Sequence, residues 1–231
     1  DLDDGLLKDY DDSLKNFQKE HNLTIFHLMG QHVNYKQRYR TKQARFWASS
    51  YEDKRPELTN AQRKMLSHYD NATLYNDSIV AQIVKRFQKQ DAIIIYVPDH
   101  GEECYEENRG FICRNHSAEI DWPLAHYEFE IPFWIYCSPK YIRNHRDIYR
   151  QIRKAKDKRF MTDALPHLLL YLAGIETPTY KEEYNILSPK YDEMRPRILK
   201  NSADYDKLRD AYLEKVKKEE SKTVKKKERR N

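Results

Sequence analysis

The sequence predicts an α/β domain built as a three-layer sandwich, with a mainly parallel sheet that carries helices on both faces. Three short apolar runs, at residues 23–29, 92–97 and 131–137, predict this class because strands buried in a parallel sheet are apolar throughout. A segment with helical periodicity separates the first two runs, as a crossover connection of such a sheet requires, and further helical segments precede the first run and follow the third. Ligands of these folds bind in the loops that follow the carboxyl ends of the strands.

Local signals mark the main helices. Apolar residues recur at helical spacing over residues 4–19, and a capping box at Thr59 begins a helix that runs to about residue 89. A later helix over residues 162–172 ends at Gly174, a typical C-terminal cap.

The remaining stretches are polar. Residues 31–57 and 102–126 have the composition of long surface loops, and a final helix over residues 202–218 leads into a basic tail. Residues 214–231 contain seven Lys and two Arg against four Glu, a difference of +5 that equals the net charge of the whole chain. The rest of the chain is formally neutral, which argues against a nucleic-acid-binding body. The tail is typical of a solvated helix end, and the alternative is attraction to anionic phosphates or lipid headgroups.

The composition of the 231 residues fits one large α/β domain or two small ones. Charged residues make up 34% and aromatic residues 13%, which excludes a membrane-embedded chain and argues against a disordered one. The chain starts at Asp1 without an initiator Met or a signal-peptide pattern, so we expect a piece of a longer protein. Cys104 and Cys113 could close a disulfide in an oxidising compartment or stay thiols in a reducing one, and the sequence leaves both open.

The strongest chemical signal is Asp99-His100-Gly101, just past the apolar run at residues 92–97. Asp supplies a hard anionic oxygen and His a nitrogen, and the two together suit a divalent metal such as zinc. Gly101 would let the backbone turn sharply behind the two ligands. The triplet alone is equally compatible with an Asp that caps a helix beside an incidental His. Its position at a strand end favours the metal site.

Two other histidines occupy comparable loops. His32 follows the first apolar run, and His116 lies in the polar stretch after the Asp-His-Gly triplet. Taken alone, each is more typical of a satisfied or solvated loop residue than of a ligand.

An ordered series of segments resembles the C-terminal half of the catalytic domain of the phosphoethanolamine transferases, in the sulfatase-like branch of the alkaline phosphatase superfamily. The resemblance covers about residues 1–210. Its segments are FHLMGQH at 26–32, YDNATLYND at 69–77, YVPDHGE at 96–102, IPFWI at 131–135, LLLYLAGI at 168–175, RPRIL at 195–199 and DYD at 204–206.

The resemblance implies an alkaline-phosphatase/sulfatase-like fold. Residues 1–200 would form the C-terminal part of its catalytic domain, and residues 201–231 a helix with a basic tail. The implied reaction is metal-dependent transfer of phosphoethanolamine from phosphatidylethanolamine to a lipid A or glycan acceptor through a phospho-Thr intermediate. The implied location is the inner membrane, with the catalytic domain facing the periplasm and the membrane segment outside this chain.

The family's functional residues carry over at four positions. Asp99 and His100 match zinc ligands, with Mn2+ or Ca2+ less favoured. His32 and His116 match substrate-binding histidines that lie near the phosphate and the headgroup, or a second metal. No catalytic nucleophile is expected in this chain, because the nucleophilic Thr and the first acidic ligand would lie upstream. The implied partners are a phospholipid donor, a glycolipid or glycan acceptor and the missing N-terminal part, without nucleic acid. We expect this piece alone to bind zinc poorly and to turn over nothing.

The sequence also departs from the family pattern. Glu103 stands where the family usually has Ser after Asp-His-Gly-Glu, and Val33-Asn34 stands where Gly-Pro is common. These departures leave the metal ligands in place and concern acceptor and headgroup specificity. Two alternatives remain: a sulfatase or phosphoglycerol transferase of the same superfamily, and a non-catalytic binding module with a basic tail.

Overall fold

The computed structural model describes residues 2–13, 19, 21–115, 119–200 and 202–228. Within these residues no helix is long and apolar enough to cross a membrane. The described helices are α1 (Asp4–Ser13), α2 (Asn60–Phe87), α3 (Trp122–Phe129), α4 (Pro139–Asn144), α5 (Arg146–Ala155), α6 (Leu165–Leu172) and α7 (Tyr205–Glu228). The described strands are β1 (Ile93–Tyr96), β2 (Glu103–Cys104), β3 (Ile112–Cys113), β4 (Trp134–Cys137), β5 (Ile198–Leu199) and β6 (Ala203–Asp204).

The chain divides into two compact units. The first contains residues 1–92 and 104–113, and the second contains residues 93–103 and 114–231. The predicted boundary near residue 200 stays a prediction.

The first unit is organised by α2. Thr59 accepts a hydrogen bond from the Gln62 backbone N–H, and the Gln62 side chain accepts one from the Thr59 backbone N–H, so the predicted capping box is present. The inner face of α2 buries Ala72, Ile79 and Ile83 in the main core of the unit. Residues 31–57 pass over this helix through short 3-10 turns.

Asn71 of α2 anchors the segment at residues 31–57. Its side-chain oxygen accepts from the backbone N–H groups of Arg45 and Phe46 at 2.6 and 3.1 Å. Its amide donates to the carbonyls of Phe46 and Ser67 at 2.8 and 2.7 Å. These four bonds satisfy a side chain that is 2% exposed, so Asn71 anchors a long irregular segment on a rigid helix.

The second unit is built around the pair β1–β4. β1 runs antiparallel to β4, with Ile93 opposite Cys137 and Tyr96 opposite Trp134. Both strands are half-buried, and Ile95 packs on the core formed by α6 and the following chain. The mainly parallel sheet expected of the whole fold is therefore not formed by this pair. A continuous apolar run predicts burial, but it does not specify the direction of the neighbouring strand.

Two local predictions were wrong. Residues 23–29 form no strand; their backbone is irregular, and Leu23 and Ile25 are 81% and 79% exposed. Residues 102–126 are not one loop, because they contain β2, β3 and the start of α3. Asp121 caps α3 by accepting from the Leu124 N–H at 2.9 Å, and Pro123 lies in its first turn.

Candidate metal centre

The Asp99-His100 pair lies in the loop that follows β1, as predicted. The Asp99 side chain is 86% exposed and that of His100 is 21% exposed. Asp99 Oδ1 lies 3.6 Å from His100 Nε2. Two ligands of a tetrahedral zinc, each about 2.0–2.2 Å from the metal, are about 3.4 Å apart. The observed separation therefore fits two neighbouring ligands of one zinc ion.

The imidazole of His100 is oriented for this role. His100 Nδ1 lies 2.7 Å from the Gly101 carbonyl oxygen. A carbonyl only accepts hydrogen bonds, so Nδ1 carries the proton. In the neutral ring this leaves the lone pair on Nε2, the atom nearest the Asp99 carboxylate. A backbone carbonyl bonded to the other ring nitrogen is the usual support of a metal-binding histidine.

Gly101 holds the pair against the end of α3. Its N–H donates to the Glu128 carbonyl at 2.8 Å, one of the carbonyls that the end of a helix leaves without an intrahelical partner. A Cβ at this position would lie 2.3 Å from the Tyr127 carbonyl oxygen, so only glycine fits. The carbonyl end of a helix carries partial negative charge, which favours a cation beside it.

Glu128 is a neighbour of the Asp99-His100 loop that sequence reasoning missed. Its side chain is 1% exposed and accepts from the Asn115 backbone N–H at 2.7 Å. The residue thus supports the Asp99-His100 loop through its carbonyl and the segment leading to His116 through its carboxylate. His116 itself lies outside the described residues. An acidic residue on the apolar side of a short helix was the available signal, but residues 102–126 were interpreted as a loop.

His32 belongs to the first unit. It is exposed and closes a turn in which its N–H donates to the Met29 carbonyl at 3.0 Å. The turn is anchored by Asp3, whose carboxylate accepts from the backbone N–H groups of Met29 and Gly30 at 3.0 Å each. Gly30 adopts φ +51°, a left-handed conformation that glycine tolerates. Asp3 was also missed, because no local pattern links it to a turn 26 residues later.

Of the four predicted site residues, Asp99 and His100 lie side by side in the second unit, His32 belongs to the first unit, and His116 lies outside the described residues. Among the described residues no group of three or more His, Cys, Asp or Glu side chains could enclose a metal. Asp99 and His100 would supply two ligands, and a complete zinc site needs further ones.

Comparison with known proteins assigns the class. The profile of the Sulfatase family matches residues 1–175, so the chain belongs to the sulfatase family. Its relatives are phosphoethanolamine transferases, as the sequence segments predicted. The phosphoethanolamine transferase EptC of Escherichia coli strain K12 is 32% identical over 217 residues. That alignment covers 87% of this chain and 36% of the relative.

Two further relatives are also phosphoethanolamine transferases. EptC of Escherichia coli O18:K1:H7 is 31% identical over 89% of this chain, and this chain spans 35% of its length. The Kdo(2)-lipid A phosphoethanolamine 7''-transferase of Escherichia coli strain K12 is 31% identical over 68% of this chain and 27% of its own length.

A solved structure confirms the fold class. The C-terminal periplasmic domain of EptC from Escherichia coli, in complex with Zn, matches with a TM-score of 0.73 and 28% identity. The match covers 90% of this chain and 58% of that domain. The sulfatase-like α/β fold predicted from sequence is thus confirmed for this chain, which spans little more than half of the solved domain.

Proposed function

We propose that this chain is the C-terminal part of the catalytic domain of a phosphoethanolamine transferase. The reaction would move phosphoethanolamine from phosphatidylethanolamine to a lipid A or glycan acceptor. The observation that carries the proposal is the Asp99-His100 pair, 3.6 Å apart on a glycine turn after β1. The sequence identities to the relatives named above and the fold match support it, because all of these relatives are phosphoethanolamine transferases.

Zinc is the metal that the pair fits best. An imidazole nitrogen beside a carboxylate oxygen suits Zn2+, whereas Ca2+ and Mn2+ favour oxygen ligands. Bound zinc would lower the pKa of a nucleophilic hydroxyl and offset the negative charge of a phosphoryl group. The chain's own part is to hold Asp99 and orient His100 by the Gly101 carbonyl. His32 and His116 would bind the phosphate and headgroup.

The nucleophile is proposed to be a Thr upstream of this chain, and the intermediate a phospho-Thr. Splitting one displacement into two is the logic of covalent catalysis. The remaining partners would be the upstream part of the protein and the two lipid or glycan substrates. The proposed location is the inner membrane, with this domain facing the periplasm as in the matched solved domain.

The test is Asp99→Ala in the protein that includes its upstream part. The readouts are zinc content by elemental analysis and headgroup transfer from labelled phosphatidylethanolamine to lipid A. We expect loss of both, because removing a ligand removes metal charge from the site. Asp53→Ala, at an exposed position, is the matched control and should retain both. Full transfer by Asp99→Ala would refute the metal assignment. Cleavage of a sulfate ester by the parent protein, in place of headgroup transfer, would identify a sulfatase instead.

A further inference from the structure

The part of α7 between residues 213 and 222 exposes most of its side chains to solvent. Its first turns pack on α3, where the Trp122 ring lies 5.4 and 5.9 Å from the rings of Tyr205 and Tyr212. From residue 213 to residue 222 every side chain is exposed except Val216, which is half-buried. Packing of an amphipathic face usually stabilises a protein helix, and between residues 213 and 222 Val216 alone is shielded from solvent in part.

Lysines line one side of this exposed helix. Lys215, Lys218 and Lys222 recur at spacings of three and four, so they share one face. The spacing continues along the sequence with Lys225 and Lys226, and α7 extends to Glu228. At 100° per residue these five positions fall within an arc of about 100°. We call the face defined by Lys215, Lys218 and Lys222 the lysine face.

The acidic residues of the segment lie beside the face or away from it. Glu214 and Glu219 flank it, and Glu220 falls on the opposite side of the helix. Lys218 Nζ lies 3.6 Å from Glu214 Oε2, but both side chains are more than 70% exposed, so this pair contributes little. Residues 213–222 contain four Lys against three Glu, a net charge of +1, and residues 223–231 add a further +4, so the whole net charge of the chain lies in this C-terminal region.

We propose that the lysine face binds the anionic headgroups of a phospholipid bilayer. A straight row of lysines matches a flat, laterally extended anionic surface. Lysine ammonium groups act as strongly hydrated point charges, which suit diffuse headgroup charge better than the bidentate recognition that arginine gives to a single phosphate. Nucleic acid is a poorer fit, because residues 213–222 contain no aromatic side chain on which a base could stack. The inference does not depend on the transferase activity.

The experiment is sedimentation of the purified chain with vesicles. Phosphatidylcholine vesicles are compared with vesicles that also contain phosphatidylglycerol, at low and at physiological salt. Each lysine beside an anionic membrane strengthens binding by about fivefold, so the triple variant Lys215→Gln/Lys218→Gln/Lys222→Gln should bind about 100-fold more weakly. Binding should also weaken as salt rises.

A matched variant removes the same charge elsewhere. Lys89→Gln/Lys140→Gln/Lys154→Gln changes three exposed lysines outside α7 and should keep at least a third of the affinity. Circular dichroism checks that both variants are as folded as the parent chain. Equal losses in the two variants would overturn the proposal, since binding would then follow net charge alone. It would also be overturned by failure to bind phosphatidylglycerol vesicles at low salt, or by DNA displacing the chain from them.

Discussion

Replacing Gly101 by Ala tests whether the end of α3 positions the loop that carries Asp99 and His100. The new Cβ would lie 2.3 Å from the Tyr127 carbonyl oxygen and 3.3 Å from that of Glu130. Both are backbone atoms, so the loop must move by about 1.1 Å to restore an ordinary van der Waals contact of about 3.4 Å. Overpacking of this kind costs about 1–3 kcal/mol, and weakening the hydrogen bond from Gly101 N to Glu128 O adds about 1 kcal/mol. We therefore expect Gly101→Ala to lower the free energy of unfolding by about 2–4 kcal/mol.

The assay is denaturant unfolding followed by tryptophan fluorescence, because Trp122 and Trp134 report on the unit that contains Gly101. Gly5→Ala is the matched control, since nothing lies within 4 Å of its added Cβ and it sits within α1. Alanine is the better helix former, so Gly5→Ala should stabilise by up to about 1 kcal/mol. A Gly101→Ala protein within about 0.5 kcal/mol of the parent would refute the reasoning, because surface substitutions alone cause changes of that size.

Three further substitutions test the supports around the sites. Asp3→Ala should speed hydrogen exchange at the Met29 and Gly30 amides and lower the free energy of unfolding by about 1–3 kcal/mol, since both N–H groups lose their acceptor. Exposed Asp9→Ala should have neither effect. Asn71→Ala should lower the free energy of unfolding by about 3 kcal/mol or more, because the four hydrogen bonds of a buried side chain are lost. Exposed Asn60→Ala should change it by less than about 1 kcal/mol. A hydrogen bond from Arg197 lowers the pKa of Asp206 below its ordinary value of 3.8, so the ionised carboxylate stabilises the fold above that pH and the contribution is lost as the pH falls further. In Asp206→Asn the melting temperature should therefore fall less steeply as the pH is lowered, which thermal unfolding at a series of pH values measures. An unchanged dependence on pH, or the same change in exposed Asp210→Asn, would contradict this.

Features that depend on a few neighbouring residues were predictable from the sequence. The capping box at Thr59 appears as expected, with α2 ending two residues before the predicted residue 89. Gly174 adopts φ +65°, and the bonds from Gly174 N to Tyr171 O and from Ile175 N to Leu170 O complete the cap of α6. The Asp99-His100 loop also follows its strand as predicted. These features are set by local backbone chemistry.

Features that depend on distant residues were not predictable. β1 pairs antiparallel with β4, a choice made by chain connections rather than by the apolar run itself. Asp3 and Glu128 act through bonds to residues far along the chain or through backbone atoms, which no spacing pattern shows. α3 was predictable in principle, because Asp121 followed by Pro123 is a helix-start signal. The density of charge around it led to the loop interpretation.

The irregular segment at residues 22–29 has a consequence for handling the chain in solution. Leu23, Ile25 and Met29 alternate along it and are 81%, 79% and 46% exposed, while Phe26 and Leu28 pack against the core of the first unit. This β-prone, apolar segment pairs with no strand in the part of the chain that the structure describes, and such a segment can act as a template for pairing with another copy. Self-association that grows with protein concentration is the expected behaviour, and Ile25→Lys, which places a charge on the outward side, should suppress it. Light scattering across a dilution series would distinguish this self-association from the salt-dependent electrostatic binding of α7.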